Sequence, residues 1–124
     1  IITMASIVEG EVRTPKNRAL VADIFWRRLK IGMPLQSDAT VNYVTRKGMA
    51  SPTYDDTKID SPYNTYKYKG LPLGPINNPG LMSLTAVLHP EPNPYMYFLT
   101  TPEGDIYYAK TYEEHLSNKR RYLK

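Results

Sequence analysis

Apolar residues in the first dozen positions recur at helical spacing. Met4, Ile7, Val8 and then Glu11 fall at i, i+3, i+4 and i+7. The pattern predicts a helix over 1–11 whose apolar stripe ends on a carboxyl, so Glu11 is expected to point toward the core or into a cleft. Thr3, Ser6 and Gly10 make a second stripe, small enough for another segment to approach closely. Glu9, beside Ile2 and Ala5, is assigned to neither the inside nor the outside. Thr14-Pro15 then reads as a helix start, a hydroxyl cap followed by a proline whose missing N–H costs nothing in the first turn. The segment to about Ile31 places Leu20, Val21, Ile24, Phe25 and Leu29 on one side. It leaves Arg18, Arg27, Arg28 and Lys30 to solvent, and Gly32 is the expected stop.

Beyond this helix pair the periodicity weakens. Pro34 forces an extended entry, Gln36 falls in a connection, and Ser37 or Asp38 is the expected cap of a short helix through Tyr43. No period survives over 45–60, which reads as a surface loop or lid. The stretch 60–80 is dense in Pro and Gly, the composition of a linker. Leu71, Leu73 and Ile76 interrupt it, however, and its polar residues are Asn, Thr and Tyr, so an ordered wall of a groove is expected. A helix over 81–88 stops at Pro90. Aromatic-rich strands at 95–100 and 106–109 flank a Pro-Glu-Gly-Asp turn, and Thr111-x-x-Glu114 is a capping box for a terminal helix that carries His115. The sum is one α+β domain over residues 1–124, mainly helical, with a small β-hairpin and long ordered Pro/Gly-rich loops.

Composition narrows the chemistry. The chain has 124 residues, 41% hydrophobic and 23% charged, with no run of the roughly 20 apolar residues that would cross a bilayer. Its opening lies already inside an apolar helical pattern, as expected of a fragment of a longer protein. The absence of cysteine excludes disulfides and thiolate chemistry, and His89 and His115 lack partners at ligand spacing, so no metal and no cofactor is expected. The net charge of +4 gathers at Lys119, Arg120, Arg121 and Lys124. No nucleic-acid motif accompanies that cluster, so a nucleic-acid partner is not expected. Eleven tyrosines against two phenylalanines suit stacking on sugars as well as hydroxylated core packing.

The candidate for chemistry is Glu11. A carboxyl among hydrocarbon side chains is desolvated, which raises its pKa toward what a general acid needs near neutrality. The alternative is a solvated helix-end carboxylate, or one paired with Arg13.

Several stretches together resemble the catalytic domain of the YceG-like (MltG) endolytic murein transglycosylases: ASIVEGE at 5–11, VADIFWRRLKIGMPLQSDATVNY at 21–43, DSPYNTYKYKGLPLGPINNPG at 60–80, LHP at 88–90, YFLT at 97–100 and TYEEH at 111–115. The looser plan of lysozyme-like transglycosylases, a Glu closing a helix, a Leu-Met-Gln-like turn and a Tyr-Asn motif, corresponds to Glu11, Leu35-Gln36 and Tyr63-Asn64. The resemblance implies a lysozyme-like helical domain that cleaves the β-1,4 bond between N-acetylmuramic acid and N-acetylglucosamine in peptidoglycan glycan strands, leaving 1,6-anhydro ends. It makes Glu11 the acid, with Glu9 the second choice. It assigns Gln36, Ser37, Tyr63, Asn64, Thr65 and Tyr66 to substrate binding. It further implies peptidoglycan synthases as partners, and a membrane-anchored parent on the extracytoplasmic face of the bacterial inner membrane. Departures are Gly10 for the usual Lys, Ala39 and Leu73 for common prolines, and Asp105 where a His often stands.

Two other functions stay open on the residues. A hydrolytic muramidase would need a second carboxylate, for which Asp38 and Asp60 are the candidates. A glycan-binding module without catalysis would need only the tyrosines.

Overall fold

The computed structural model describes residues 1–46, 53–101 and 103–122. Among these are five α-helices and one two-stranded antiparallel sheet. They are α1 (Ile2–Glu11), α2 (Pro15–Lys30), α3 (Asp38–Thr45), α4 (Leu81–Leu88), β1 (Tyr97–Thr100), β2 (Ile106–Ala109) and α5 (Tyr112–Tyr122), with a 3-10 turn at Asp56–Lys58. No described helix is long and apolar enough to cross a membrane. Part of the predicted loop or lid, residues 47–52, lies outside the described residues.

α1 is the central rod. Met4, Ile7 and Val8 are fully buried, as the stripe requires, and they meet Val21, Ala22 and Phe25 of α2, Ala86 and Val87 of α4, and Leu35. The small stripe is also used. Ser6 Oγ accepts from Ile76 N (3.1 Å), and Asn77 Nδ2 donates to Ser6 O (2.9 Å), so the Pro/Gly-rich segment is tied along α1. At Gly10 a Cβ would lie 2.9 Å from Ala39 Cβ, closer than carbon atoms pack, so α1 and α3 touch through a glycine.

α2 begins as its sequence predicts, with Asn17 N donating to Thr14 Oγ1 (3.2 Å) and Pro15 in the first turn, and it ends before Gly32 at φ +77°. Its charged face differs from expectation. Arg18 and Arg28 are buried, not solvated. Each lies a helical turn from apolar partners, so the guanidinium must find acceptors inside. Arg18 Nε donates to Val12 O (3.0 Å); Arg28 donates to Leu35 O (2.6 Å) and to Met96 O through both Nε (3.0 Å) and Nη2 (2.6 Å). Arg27 Nη2 donates to Tyr95 O. These bonds hold the carbonyls of Tyr95 and Met96, and β1 starts at Tyr97 instead of Tyr95.

The hairpin pairs Tyr97 with Ala109 and Thr100 with Ile106. Phe98 meets Phe25 edge to face at 5.6 Å, docking the sheet on the helical core. α5 covers the sheet through Tyr107 stacked on Tyr122 (3.6 Å) and His115 on Tyr97 (5.2 Å). The predicted capping contact is present, with Glu114 N donating to Thr111 Oγ1 (3.2 Å). α3 runs two residues past the predicted Tyr43, to Thr45, and closes on Arg46 in the left-handed region.

Candidate active site

The helices and the hairpin leave between them a cleft of about 820 Å³. The end of α1, the start of α3 and Tyr66 form one side; β1, the hairpin turn and α5 contribute Tyr97, Thr101, Tyr112, His115 and Lys119 on the other. Glu11 closes α1 at the cleft, enclosed by protein yet keeping some accessible surface. It is neither solvated nor paired with Arg13. Glu11 Oε1 accepts from Ser37 Oγ (2.5 Å) and from Ala39 N (3.1 Å). Ser37 therefore does not cap α3 with its own hydroxyl, because the carboxyl arriving from α1 takes that place. No described residue bonds Oε2, so one carboxyl oxygen is anchored and the other is left for the cleft.

The electrostatics of Glu11 follow from this position. Burial raises its pKa most, the adjacent Asp38 raises it further, and the two hydrogen bonds with the Arg28 charge pull it partly back, for a value pushed up to about 7. Asp38 also lines the cleft; burial holds its pKa above the ordinary carboxylate range, against the hydroxyl of Tyr66, which donates to it, and the Lys119 charge. Tyr66 stays a protonated phenol, its pKa raised by burial and by Asp38.

The predicted binding residues divide into liners and frame. Gln36 is exposed in the cleft with φ 55°, a left-handed conformation unusual for a side chain that size, and its N–H donates to Thr65 O (3.2 Å). Ser37 and Thr65 are buried behind Glu11: Ser37 N donates to Thr65 Oγ1 (2.8 Å), which also meets Thr40 Oγ1 (2.9 Å). Asn64, expected to hold a sugar, is buried. Its Nδ2 donates to Thr57 O (2.9 Å) and Ile59 O (2.8 Å), and its Oδ1 accepts from Tyr66 N (3.0 Å). It shapes the turn that presents Tyr66. Tyr63 packs on Tyr43 (4.9 Å) and is not a liner of the cleft. Of the predicted wall over 60–80, Tyr66 reaches the cleft, whereas residues 70–80 lie along α1 and contribute nothing to it, so the wall facing Glu11 is the hairpin with α5 instead.

Glu9 also lines the cleft, but its carboxyl has different partners. Its Oε1 accepts from Gly80 N (2.9 Å) and Ser83 Oγ (3.0 Å), and its Oε2 from Arg18 Nη2 (3.0 Å). The Gly80 amide above all, then Ser83 and Arg18, hold its pKa below the usual carboxylate value despite some desolvation. That is the wrong direction for a proton donor at neutral pH. Asp60 is exposed, bonded by Tyr68 and Lys67, and away from the cleft. Among the described residues no cluster could hold a metal ion.

Arg28 and His115 line the cleft and are not among the residues the sequence predicts for the site. For Arg28 a signal existed: with Val21 and Phe25 it completes i, i+4 and i+7 on the apolar face of α2. For His115 the signal is its place in the TYEEH stretch, while its position in the cleft depends on how α5 docks.

The model of the YceG-like family matches residues 1–121. The chain belongs to the YceG-like family. This YceG-like chain is 45% identical over 123 residues to the endolytic murein transglycosylase of Bacillus subtilis (strain 168), covering 99% of the chain and 34% of that protein. It is 37% identical over 124 residues to the endolytic murein transglycosylase of Streptococcus pneumoniae serotype 2, covering 95% of the chain and 22% of that protein. A crystal structure of a yceG-like protein from Listeria monocytogenes superposes with a TM-score of 0.85 at 45% identity, over 92% of this chain and 38% of that one. The YceG-like chain thus spans about a third or less of the curated relatives it matches.

Proposed function

We propose that this chain is the catalytic domain of an endolytic murein transglycosylase that cuts the β-1,4 bond between N-acetylmuramic acid and N-acetylglucosamine in peptidoglycan glycan strands. The observation that carries the reading is Glu11: one oxygen anchored by Ser37 and Ala39, the other left to the cleft, and a pKa pushed up to about 7 by burial. A carboxyl in that setting is still substantially protonated at neutral pH and can act as general acid. Glu11 gives its proton to the glycosidic oxygen as the bond from the muramoyl C1 breaks, freeing the 4-hydroxyl of N-acetylglucosamine. The carboxylate so formed keeps its two hydrogen-bond donors. It then takes the proton of the muramoyl C6 hydroxyl while that oxygen bonds to C1, which leaves a 1,6-anhydro end and consumes no water. Gln36 and Tyr66 line the cleft and hold the sugar; Ser37 holds Glu11, and Thr65 holds Ser37. The lysozyme-like plan, a helix-closing Glu beside a Gln-bearing turn and a Tyr-Asn turn, supports the same assignment.

The reading places the domain on the extracytoplasmic face of the bacterial inner membrane, carried by an anchored parent, where peptidoglycan synthases supply the strands. Asp38 gives the hydrolytic alternative its one observation, a second carboxylate in the cleft beside Glu11. Digestion of nascent, uncrosslinked glycan followed by mass spectrometry of the ends decides between them. Anhydro ends are expected, reducing ends would replace transglycosylation by hydrolysis, and uncut strands bound by the chain would leave only a glycan-binding module.

A further inference from the structure

His115 takes no part in the reaction as described, yet it occupies an unusual place. Its ring is nine-tenths buried, stacked 5.2 Å from Tyr97 at an interplanar angle of 22°, and it lines the cleft beside Tyr112 and Lys119. Nδ1 is buried with no partner among the described residues, so the ring meets the cleft through its Nε2 edge. A buried N–H without an acceptor is rarer and costlier than a buried lone pair without a donor. The proton of the neutral ring therefore belongs on Nε2. Burial, with Lys119 and Arg28 nearby, pushes the His115 pKa down to about 4, which keeps the ring neutral at any pH where Glu11 works. The ring thus offers the cleft one fixed, uncharged N–H donor. The largely exposed Tyr112 flanks it with aromatic surface, whereas the Tyr97 ring is engaged by His115 itself and by the Arg28 guanidinium, 5.5 Å from its centroid.

We propose that His115 is a substrate-binding residue whose Nε2–H donates to the acetamido carbonyl of an N-acetylhexosamine lying against Tyr112. The inference rests on the reading of the cleft as a glycan site, but not on cleavage. A neutral donor suits a neutral carbonyl and leaves the charge balance of Glu11 and Asp38 untouched. The aromatic surface suits the apolar faces of a sugar ring and the acetamido methyl.

The test uses the 124-residue chain carrying Glu11→Gln, so that ligand is not consumed, with chitotetraose as probe and cellotetraose, which lacks acetamido groups, as comparator. Adding His115→Phe is expected to weaken chitotetraose about tenfold, the loss of one good hydrogen bond, with cellotetraose unchanged. His115→Gln, whose amide N–H reproduces the Nε2 position, is expected to recover most of that loss, which a merely structural role for the ring would not predict. In the Glu11→Gln chain, nitrogen-15 spectra should show the Nε2–H tautomer between pH 5 and 8 and a shift of that signal on adding chitotetraose. Unchanged binding by the Phe variant, equal losses for both sugars, no recovery with Gln, an unmoved signal, or no chitotetraose binding would each overturn the assignment. If the native chain leaves glycan uncut while these binding differences hold, the catalytic reading fails and the subsite stands. If Glu11-dependent cleavage is seen while His115→Phe binds normally, the subsite alone fails.

Discussion

Glu9 and Glu11 stand two residues apart on α1, and the two edges of the helix give them opposite chemistry. On the α4 edge, Glu9 spends both oxygens on an amide, a hydroxyl and a guanidinium, and its charged form is favoured. On the α3 edge, Glu11 receives two donors on one oxygen, is desolvated, and faces a second carboxyl, so its neutral form is favoured. A rotation of about 200° around the helix separates a carboxylate held in its charged form from a carboxyl whose neutral form is favoured. Residue type is therefore uninformative here; desolvation together with the donors supplied by the neighbouring elements sets which form of each carboxyl is favoured.

The largest break in this comparison is expected from Glu11→Gln, which keeps the acceptor for Ser37 and Ala39 and removes the proton. Glycan cleavage should fall about 10²–10⁴-fold, whereas Glu9→Gln should stay within a few-fold of the native rate. Equal losses in both variants, measured by release of soluble fragments, would erase the distinction.

Stability against pH sharpens it next. A carboxyl whose pKa rises on folding binds a proton that the unfolded chain has lost, so its contribution is full below the ordinary value of 4.5 and disappears as pH climbs through about 7. Glu11→Gln lacks this term, and by pH 8 it should be more stable than the native chain by about 2–3 kcal/mol, converging with it near pH 4. Thermal melts across pH 4–8 read this directly. Glu9, lowered on folding, has the opposite sign: its contribution is present above the ordinary value and is lost as pH falls through its depressed value.

A smaller effect is expected from Glu9→Gln itself, a loss of about 1 kcal/mol from removing the charge that pairs with the buried Arg18, which keeps its bond to Val12 O, seen as a lower urea midpoint at pH 7. Smallest is Ser37→Ala. It removes a donor that favours the ionised form of Glu11, so the alkaline limb of the kcat/KM profile should move to higher pH, by roughly 0.5–1 unit. A limb moving down would reverse the assigned role of that hydrogen bond.

Much of the fold was legible in the chain. The stripe through Met4, Ile7 and Val8, the Thr14-Pro15 start, the stop at Gly32 and the Thr111 cap are short-range signals, and each maps onto an observed helix boundary or buried face. Glu11 was legible for the same reason, since it continues an apolar stripe. Arg18 and Arg28 were misplaced because a guanidinium on a helix flank reads as solvated until the carbonyls that meet it, on Val12, Leu35 and Met96, are brought in by other segments. Asn64 illustrates the same limit: a Tyr-Asn pair in a turn reads alike whether its amide faces a ligand or its own backbone.

Backbone preferences and hydrophobic spacing act over a few residues, so the chain alone specified its helices, its hairpin and the carboxyl that ends α1. Desolvation and hydrogen-bond supply are sums over neighbours distant in sequence. Folding therefore chose which of two glutamates holds a proton, which wall faces it, and that His115 presents a neutral donor to the cleft, because each depends on atoms that meet only when α3, α4 and α5 close around α1 and the hairpin.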